Sequence, residues 1–193
     1  MFSRFLLAAA IGTVLPPAAV AQPVADEPTV TAAVARAVTT YSRFTIFDDV
    51  TLEVDAGHVT LRGKVTMPFK KEEIGRRAQA AAPGYTLTND IEVLPASVHD
   101  DALRKRVARA LYGNAAFWRQ AAMATPPIPI IVERGRVTLT GVVPSEVDRA
   151  LARSLASGLG ELSLTSVLKT DAEVEAEALG RPRRASLRSP KAP

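Results

Sequence analysis

Two histidines, His58 and His99, are all the imidazole this 193-residue chain offers, and it has no cysteine. Neither histidine has a second ligand or a general-base partner at strand or helix spacing, so metal binding and nucleophilic catalysis lack their parts. Nucleophile-elbow, phosphate-loop and zinc-helix patterns are missing as well. The acidic doublets Asp48-Asp49 and Asp100-Asp101 stand where elements begin, which turn formation and helix capping explain. No enzyme activity, metal or cofactor is expected. What remains is positive charge beside aromatic surface. Arg104, Lys105, Arg106 and Arg109 crowd one predicted helix, and Tyr112, Phe117, Trp118 and Arg119 follow it. Cations attract lipid phosphate, and an amphipathic ring such as that of Trp118, the only tryptophan, settles at headgroup depth. These eight residues form a candidate contact with an anionic phospholipid surface. A solvated surface helix, with Phe117 in the core, is the plain alternative.

The helix that carries these cations sits inside a repeated frame. Residues 50–65 read VTLEVDAGHVTLRGKV, and residues 128–143 read IPIIVERGRVTLTGVV. Aligned without a gap they share seven of sixteen positions: Val54/Val132, Gly57/Gly135, Val59/Val137, Thr60/Thr138, Leu61/Leu139, Gly63/Gly141 and Val65/Val143. Self-similarity at a fixed offset says that one structural unit is used twice. Val50, Leu52 and Val54 alternate with Thr51, Glu53 and Asp55. Gly57 supplies a turn that tolerates positive φ, and Val59, Leu61 and Val65 resume the alternation, which makes a β-hairpin. Gly63 falls on the apolar parity, where it would let a helix approach the sheet.

Asp26, Glu27 and Pro28 mark a helix start, and Val30, Val34, Ala37, Val38 and Tyr41 recur at helical spacing before the first hairpin. A second helix is expected over about residues 69–82. Its Ile74, Ala78 and Ala81 point inward and its Lys70, Lys71, Arg76 and Arg77 outward. Leu87, Ile91 and Val93 then alternate as a third strand. The order repeats: a helix with Leu103, Val107 and Leu111 on one face, the second hairpin, a helix begun by Pro144-Ser145-Glu146, and a last strand with Leu164 and Leu168. The second of these helices would turn Val147, Leu151 and Leu155 inward. The connection 115–127 is longer than its counterpart by five residues. The fold class is therefore α+β: two tandem αββαβ units, each a three-stranded mixed sheet with two helices on one face. The open face of the first hairpin is polar (Thr51, Glu53, Thr60, Arg62 and Lys64), whereas the second carries Ile131 and Val142. Those two are the candidates for contact between the units, with isolated surface apolar residues as the alternative.

Residues 1–21 read as a secretory signal peptide: Arg4, the apolar run 5–15, and the small-x-small site Ala19-Val20-Ala21. The run is shorter than the ~20 residues a bilayer core requires, so no transmembrane segment is expected after its removal. A chain without cysteine has no lipidated cysteine anchor, and the expected location is the periplasm rather than a lipoprotein's membrane tether. Residues 22–28 serve as a linker. Residues 30–95 hold eight basic and eight acidic side chains, and residues 96–171 hold ten and seven. From residue 179 onward there are five basic residues, Arg181, Arg183, Arg184, Arg188 and Lys191, and no acids. Residues 172–193 are expected to form a basic disordered tail. Positive charge thus accumulates in the second unit and the tail, the parts suited to an anionic surface. Nucleic acid is not the expected partner, because export separates the chain from it and the tail has no aromatic rings to stack on bases.

A signal peptide followed by two αββαβ units, each with the run G-x-V-T-L-x-G-x-V, resembles tandem BON-domain proteins. That family includes osmotically inducible periplasmic and outer-membrane-associated proteins of Gram-negative bacteria. Here the run is Gly57-His58-Val59-Thr60-Leu61-Arg62-Gly63-Lys64-Val65, and again Gly135-Arg136-Val137-Thr138-Leu139-Thr140-Gly141-Val142-Val143. The resemblance covers about residues 29–171, as domains 29–95 and 96–171. The second copy also matches at Pro144-Ser145 and Arg149. The first departs there with Met67-Pro68-Phe69-Lys70. Asn89 fits an asparagine common in the third strand, where the second copy has Ser166. The resemblance implies a non-catalytic module that attaches to phospholipid membrane and supports the envelope under osmotic stress. The expected function is peripheral association with anionic phospholipid through the second domain, the first being mainly structural. The alternative is a protein-interaction or chaperone-like module that docks envelope proteins through exposed sheet faces or edges.

Overall fold

The computed structural model describes residues 26–123 and 125–180. The signal peptide, residues 22–25 of the linker and the basic residues from 181 onward lie outside the described residues.

Helix α1 (Glu27–Thr39) starts with Glu27 and Pro28 in its first turn, which suits the positive end of the helix dipole and the missing proline N–H. Its Val30, Val34 and Val38 are buried, four residues apart on one stripe. Strands β1 (Asp49–Asp55) and β2 (His58–Val65) pair antiparallel from Asp49↔Lys64 to Asp55↔His58. The turn between them is Ala56 (φ 47°) and Gly57 (φ 83°), and two positive φ values in succession are what a tight hairpin needs to follow the sheet's right-handed twist. Helix α2 (Pro68–Ala81) crosses over, and β3 (Thr86–Val93) returns parallel to β2. The sheet order is β1-β2-β3, with the inward side chains Val59, Leu61, Val65 and Ile91 meeting Val34 of α1 and Ile74 and Ala78 of α2.

The second unit repeats this with interruptions. Helix α3 (Val98–Tyr112) is capped by Ser97, whose hydroxyl accepts from the Asp100 N–H at 3.2 Å. A 3-10 turn (Ala115–Phe117) and the short α4 (Trp118–Ala121) fill the longer connection. Strands β4 (Ile130–Glu133), β5 (Arg136–Leu139) and β7 (Ser163–Ser166) form a mixed sheet in that order. The two-residue strands β6 (Val142–Val143) and β8 (Lys169–Thr170) pair beside it, and α5 (Glu146–Ala156) lies between β6 and β7 in the chain. The prolines explain why the second ladder is broken. Pro127 and Pro129 stand where Asp49 and Thr51 stand in the first copy. Their carbonyls still accept from Val142 and Thr140, but they have no N–H to return.

The architecture is thus the expected pair of mixed α+β units, and five local expectations need correction. Gly63 does not admit a helix. A Cβ there would lie 2.1 Å from the Asp49 carbonyl oxygen, and one at Gly141 would lie 1.9 Å from that of Pro127. Both glycines let the neighbouring strand's backbone approach, at the same place in each repeat. Lys70 does not face solvent: its ammonium is buried on Asp48 at 2.5 Å. Asp48 is more than a turn former, since its carboxylate also accepts from the backbone and hydroxyl of both Thr45 and Thr66 at 2.8–3.0 Å. Val147 lies on the exposed side of α5, whose buried positions are Ala152 and Ala156. Finally, residues 171–180 form a helix, α6 (Asp171–Gly180), where a disordered tail was expected from 172. Its sequence follows no apolar period, and two ion pairs link it to α5 and β8: Arg149 meets Glu173 at 2.9 Å and Lys169 meets Glu177 at 2.7 Å.

The units touch through the segment before β1. Ile46 and Phe47 pack against the second core, and the Ile130 N–H donates to the Ile46 carbonyl at 2.7 Å. Lys64 of β2 reaches across to Glu133 of β4 at 2.5 Å.

Candidate functional site

Helix α3 divides its residues sharply. Leu103, Val107 and Leu111 are buried against the second sheet, while Lys105, Arg106 and Arg109 are exposed on the opposite side. Arg104, grouped with these cations on sequence alone, belongs to the interior. Its guanidinium donates to the Val132 carbonyl at 2.6 Å and pairs with Asp101, tying helix to strand. From the border of the apolar stripe its long side chain turns under the helix, which takes its charge off the exposed surface. Tyr112 is also turned inward. Its hydroxyl donates to the Ile128 carbonyl at 2.8 Å and accepts from the Ile128 N–H at 3.2 Å. Burial pushes that hydroxyl up to about 12, so it stays a neutral bridge to the segment before β4.

Beyond α3 the chain reverses. Asn114 accepts from the Ala116 N–H at 2.9 Å, starting the 3-10 turn that throws neighbouring aromatics to opposite sides. Phe117 is completely buried in the second core, so it too leaves the candidate lipid set. Trp118 is 65 % exposed. Arg119 is exposed beside it, and Met123 adds a further exposed apolar side chain. The surface that survives is Lys105, Arg106 and Arg109 along the helix, with Trp118 and Arg119 past its end. Sequence reasoning missed Val98, 85 % exposed at the other end of α3 beside a shallow groove with Ala102, Lys105 and Arg109. An apolar residue standing off the 103/107/111 stripe was the available signal.

Family models match this chain as the BON domain twice, over residues 26–95 and 99–162. The chain belongs to the BON-domain family. Membership marks a membrane- or envelope-associated type of module that is not generally enzymatic. Among the described residues, no helix is long and apolar enough to cross a membrane. No curated protein matches the chain. Among solved structures, it is similar to CdsD, a structural protein of the type III secretion system of Chlamydia trachomatis, at 15% identity and a TM-score of 0.28. That match covers 78% of this chain and 68% of the other. The C-terminal domain of CdsD is similar at 16% identity and a TM-score of 0.30, covering 80% and 68%.

The two residues singled out for contact between the BON domains part company. Ile131, 7 % exposed, lies on the open face of its sheet and lines a cleft of about 650 Å³ together with Asp49, Gly63 and Lys64 of the first domain. Val142 lies elsewhere. After the break at Gly141 it sits half-buried beside Ala116, Arg119 and Pro127, away from that cleft. The contact that sequence did not find is Ile46 and Phe47, which pack on the second core, the Ile46 carbonyl meeting the N–H of the distant Ile130. His58 and His99 are both exposed, and no cluster of potential metal ligands occurs among the described residues.

Proposed function

We propose that this protein is exported to the periplasm, where its second BON domain rests on anionic phospholipid and helps maintain the envelope. The observation that carries the reading is Trp118: a large ring left 65 % exposed beside Arg119, at the end of a helix whose free cations lie on its outer face. Burying an indole in the interface recovers apolar area, and each nearby cation adds about 1 kcal/mol against an acidic surface. Charge alone would give weak, salt-sensitive attachment, so the ring is the part that decides retention. Co-sedimentation with phosphatidylglycerol vesicles at low and high salt tests this. Binding that falls with salt, and falls further in Trp118→Ala, supports it; binding indifferent to both changes removes it.

One observation favours a second reading, a protein-docking module. Strand β3 is an eight-residue sheet edge with exposed Thr86, Thr88 and Asp90. A protein that ignores vesicles but retains an envelope protein through this edge would shift the assignment to it.

A further inference from the structure

Beyond the lipid contact, with which it shares Arg106, the hairpin end of the second domain holds Arg134 and Arg136. Arg106 and Arg134 line a cleft of about 320 Å³ with His99, Gly135, Gly160 and Leu162. Arg134 and Leu162 also line the larger inter-domain cleft, where Arg136 stands. The neighbouring acids other than Asp49 are already committed, and Asp49, on the first domain's wall of the larger cleft, has its carboxyl pushed above the ordinary range by burial. Asp100 is bonded to the Arg134 and Gly135 amides, Asp101 to Arg104, and Glu133 to Lys64. Glu161 folds back onto the Gly158 and Leu159 amides at 2.7 and 2.8 Å. Among the described residues the Arg134 guanidinium has only Glu133 within ion-pair distance, at 3.9 Å, and that carboxylate is held by Lys64 at 2.5 Å. The Arg106 guanidinium lies over Gly160 (φ 94°), 3.4 Å from where a Cβ would stand, an ordinary contact distance. Leu162 is 81 % exposed on the shared wall of both clefts.

We propose that these joined clefts bind a phosphate-bearing anion, a monoester or diphosphate, with Arg134 and Arg136 as its principal donors and Arg106 completing the set. Guanidinium groups offer paired N–H donors that match two oxygens of one phosphate, and a concave wall brings several to bear on one group. The exposed Leu162 supplies an apolar contact for whatever carries the phosphate. A diester has fewer free oxygens to offer and is the weaker ligand.

The test is calorimetric titration of the full chain with inorganic pyrophosphate. The wild type is expected to bind, and Arg134→Gln/Arg136→Gln to bind at least tenfold more weakly. Arg153→Gln, an exposed cation elsewhere in the domain, and Trp118→Ala should leave the affinity unchanged. Competition identifies the source: phosphatidic acid vesicles displacing pyrophosphate point to a lipid headgroup, and no displacement by them points to a free anion. No pyrophosphate binding by the wild type, retention of affinity within twofold by the double variant, or an equal loss in Arg153→Gln each overturns the site. Because Trp118 is untouched by the decisive variant, vesicle attachment at the tryptophan stands or falls separately.

Discussion

Asp100, in the first turn of α3, holds the backbone N–H of Arg134, and its second oxygen holds that of Gly135, each at 2.8 Å. Arg134 has φ 51°, a left-handed conformation that costs a side-chain-bearing residue about 1 kcal/mol. The carboxylate offsets this by satisfying two amides that the turn leaves without strand partners. The first domain has the same arrangement in weaker form, with Glu27 accepting from the Ala56 N–H at 2.9 Å.

Asp100→Ala is therefore expected to cost about 3 kcal/mol, the scale for losing hydrogen bonds to a buried charge. Asp100→Asn should cost about half as much, since one acceptor oxygen remains. Glu27→Ala, at an exposed site, should stay within about 1 kcal/mol. Urea denaturation measures all three; an Asp100→Ala curve matching the wild type would refute the clamp.

Phe117 and Trp118 are adjacent and opposite in consequence. Phe117→Ala should cost about 3–5 kcal/mol, because the ring fills the second core. Trp118→Ala should shift stability by no more than about 0.5 kcal/mol while lowering vesicle binding. Thermal melts with co-sedimentation separate the two effects.

Lys64 and Glu133 make the contact between domains depend on pH. The Lys64 ammonium holds the Glu133 carboxyl below the ordinary carboxylate range, and the Glu133 hydrogen bond holds Lys64 above the ordinary lysine range. A lowered acid stabilises above its unfolded value and loses that contribution as pH falls through the folded one. A raised base stabilises below its unfolded value and loses it as pH rises through the folded one. The contribution should be full at neutral pH and fade below the carboxylate range and above the lysine range. The pair is partly exposed, so its size is about 1 kcal/mol at most. Glu133→Gln should flatten the acid limb of a stability-against-pH curve.

Lys70→Met should cost about 3 kcal/mol, since it leaves the buried Asp48 carboxylate without its counter-charge. The same change at neighbouring Lys71 serves as the control, with an expected effect near zero. Equal melting temperatures for the two variants would show that the buried pair contributes nothing.

The hairpins and the helix faces were readable because their signals are local. Alternation at 50–54 and 59–65 and the four-residue recurrence of Val30, Val34 and Val38 need no distant partner to interpret. Lys70 and Arg104 were misread for the opposite reason. Each looks solvent-facing until a partner over twenty positions away, Asp48 or the Val132 carbonyl, is placed against it. The broken second ladder was legible in principle, since Pro127 and Pro129 cannot donate. Helix α6 announced itself by composition rather than period: Asp171 and Glu173 suit a helix start, and alanine and glutamate are good helix formers. Of the lipid candidates, Phe117 reads in the sequence either as surface or as core, because the reversal at Asn114 that parts it from Trp118 is not visible in two adjacent aromatic residues.

Ile46 and Phe47 give the protein a direction in time. They lie before the first hairpin yet complete the wall of the second core, and the Ile46 carbonyl receives the first amide of β4. A chain emerging from its N-terminus presents them long before Ile130 arrives. The earlier domain can then act as a template, and the later one closes its core onto a surface already in place.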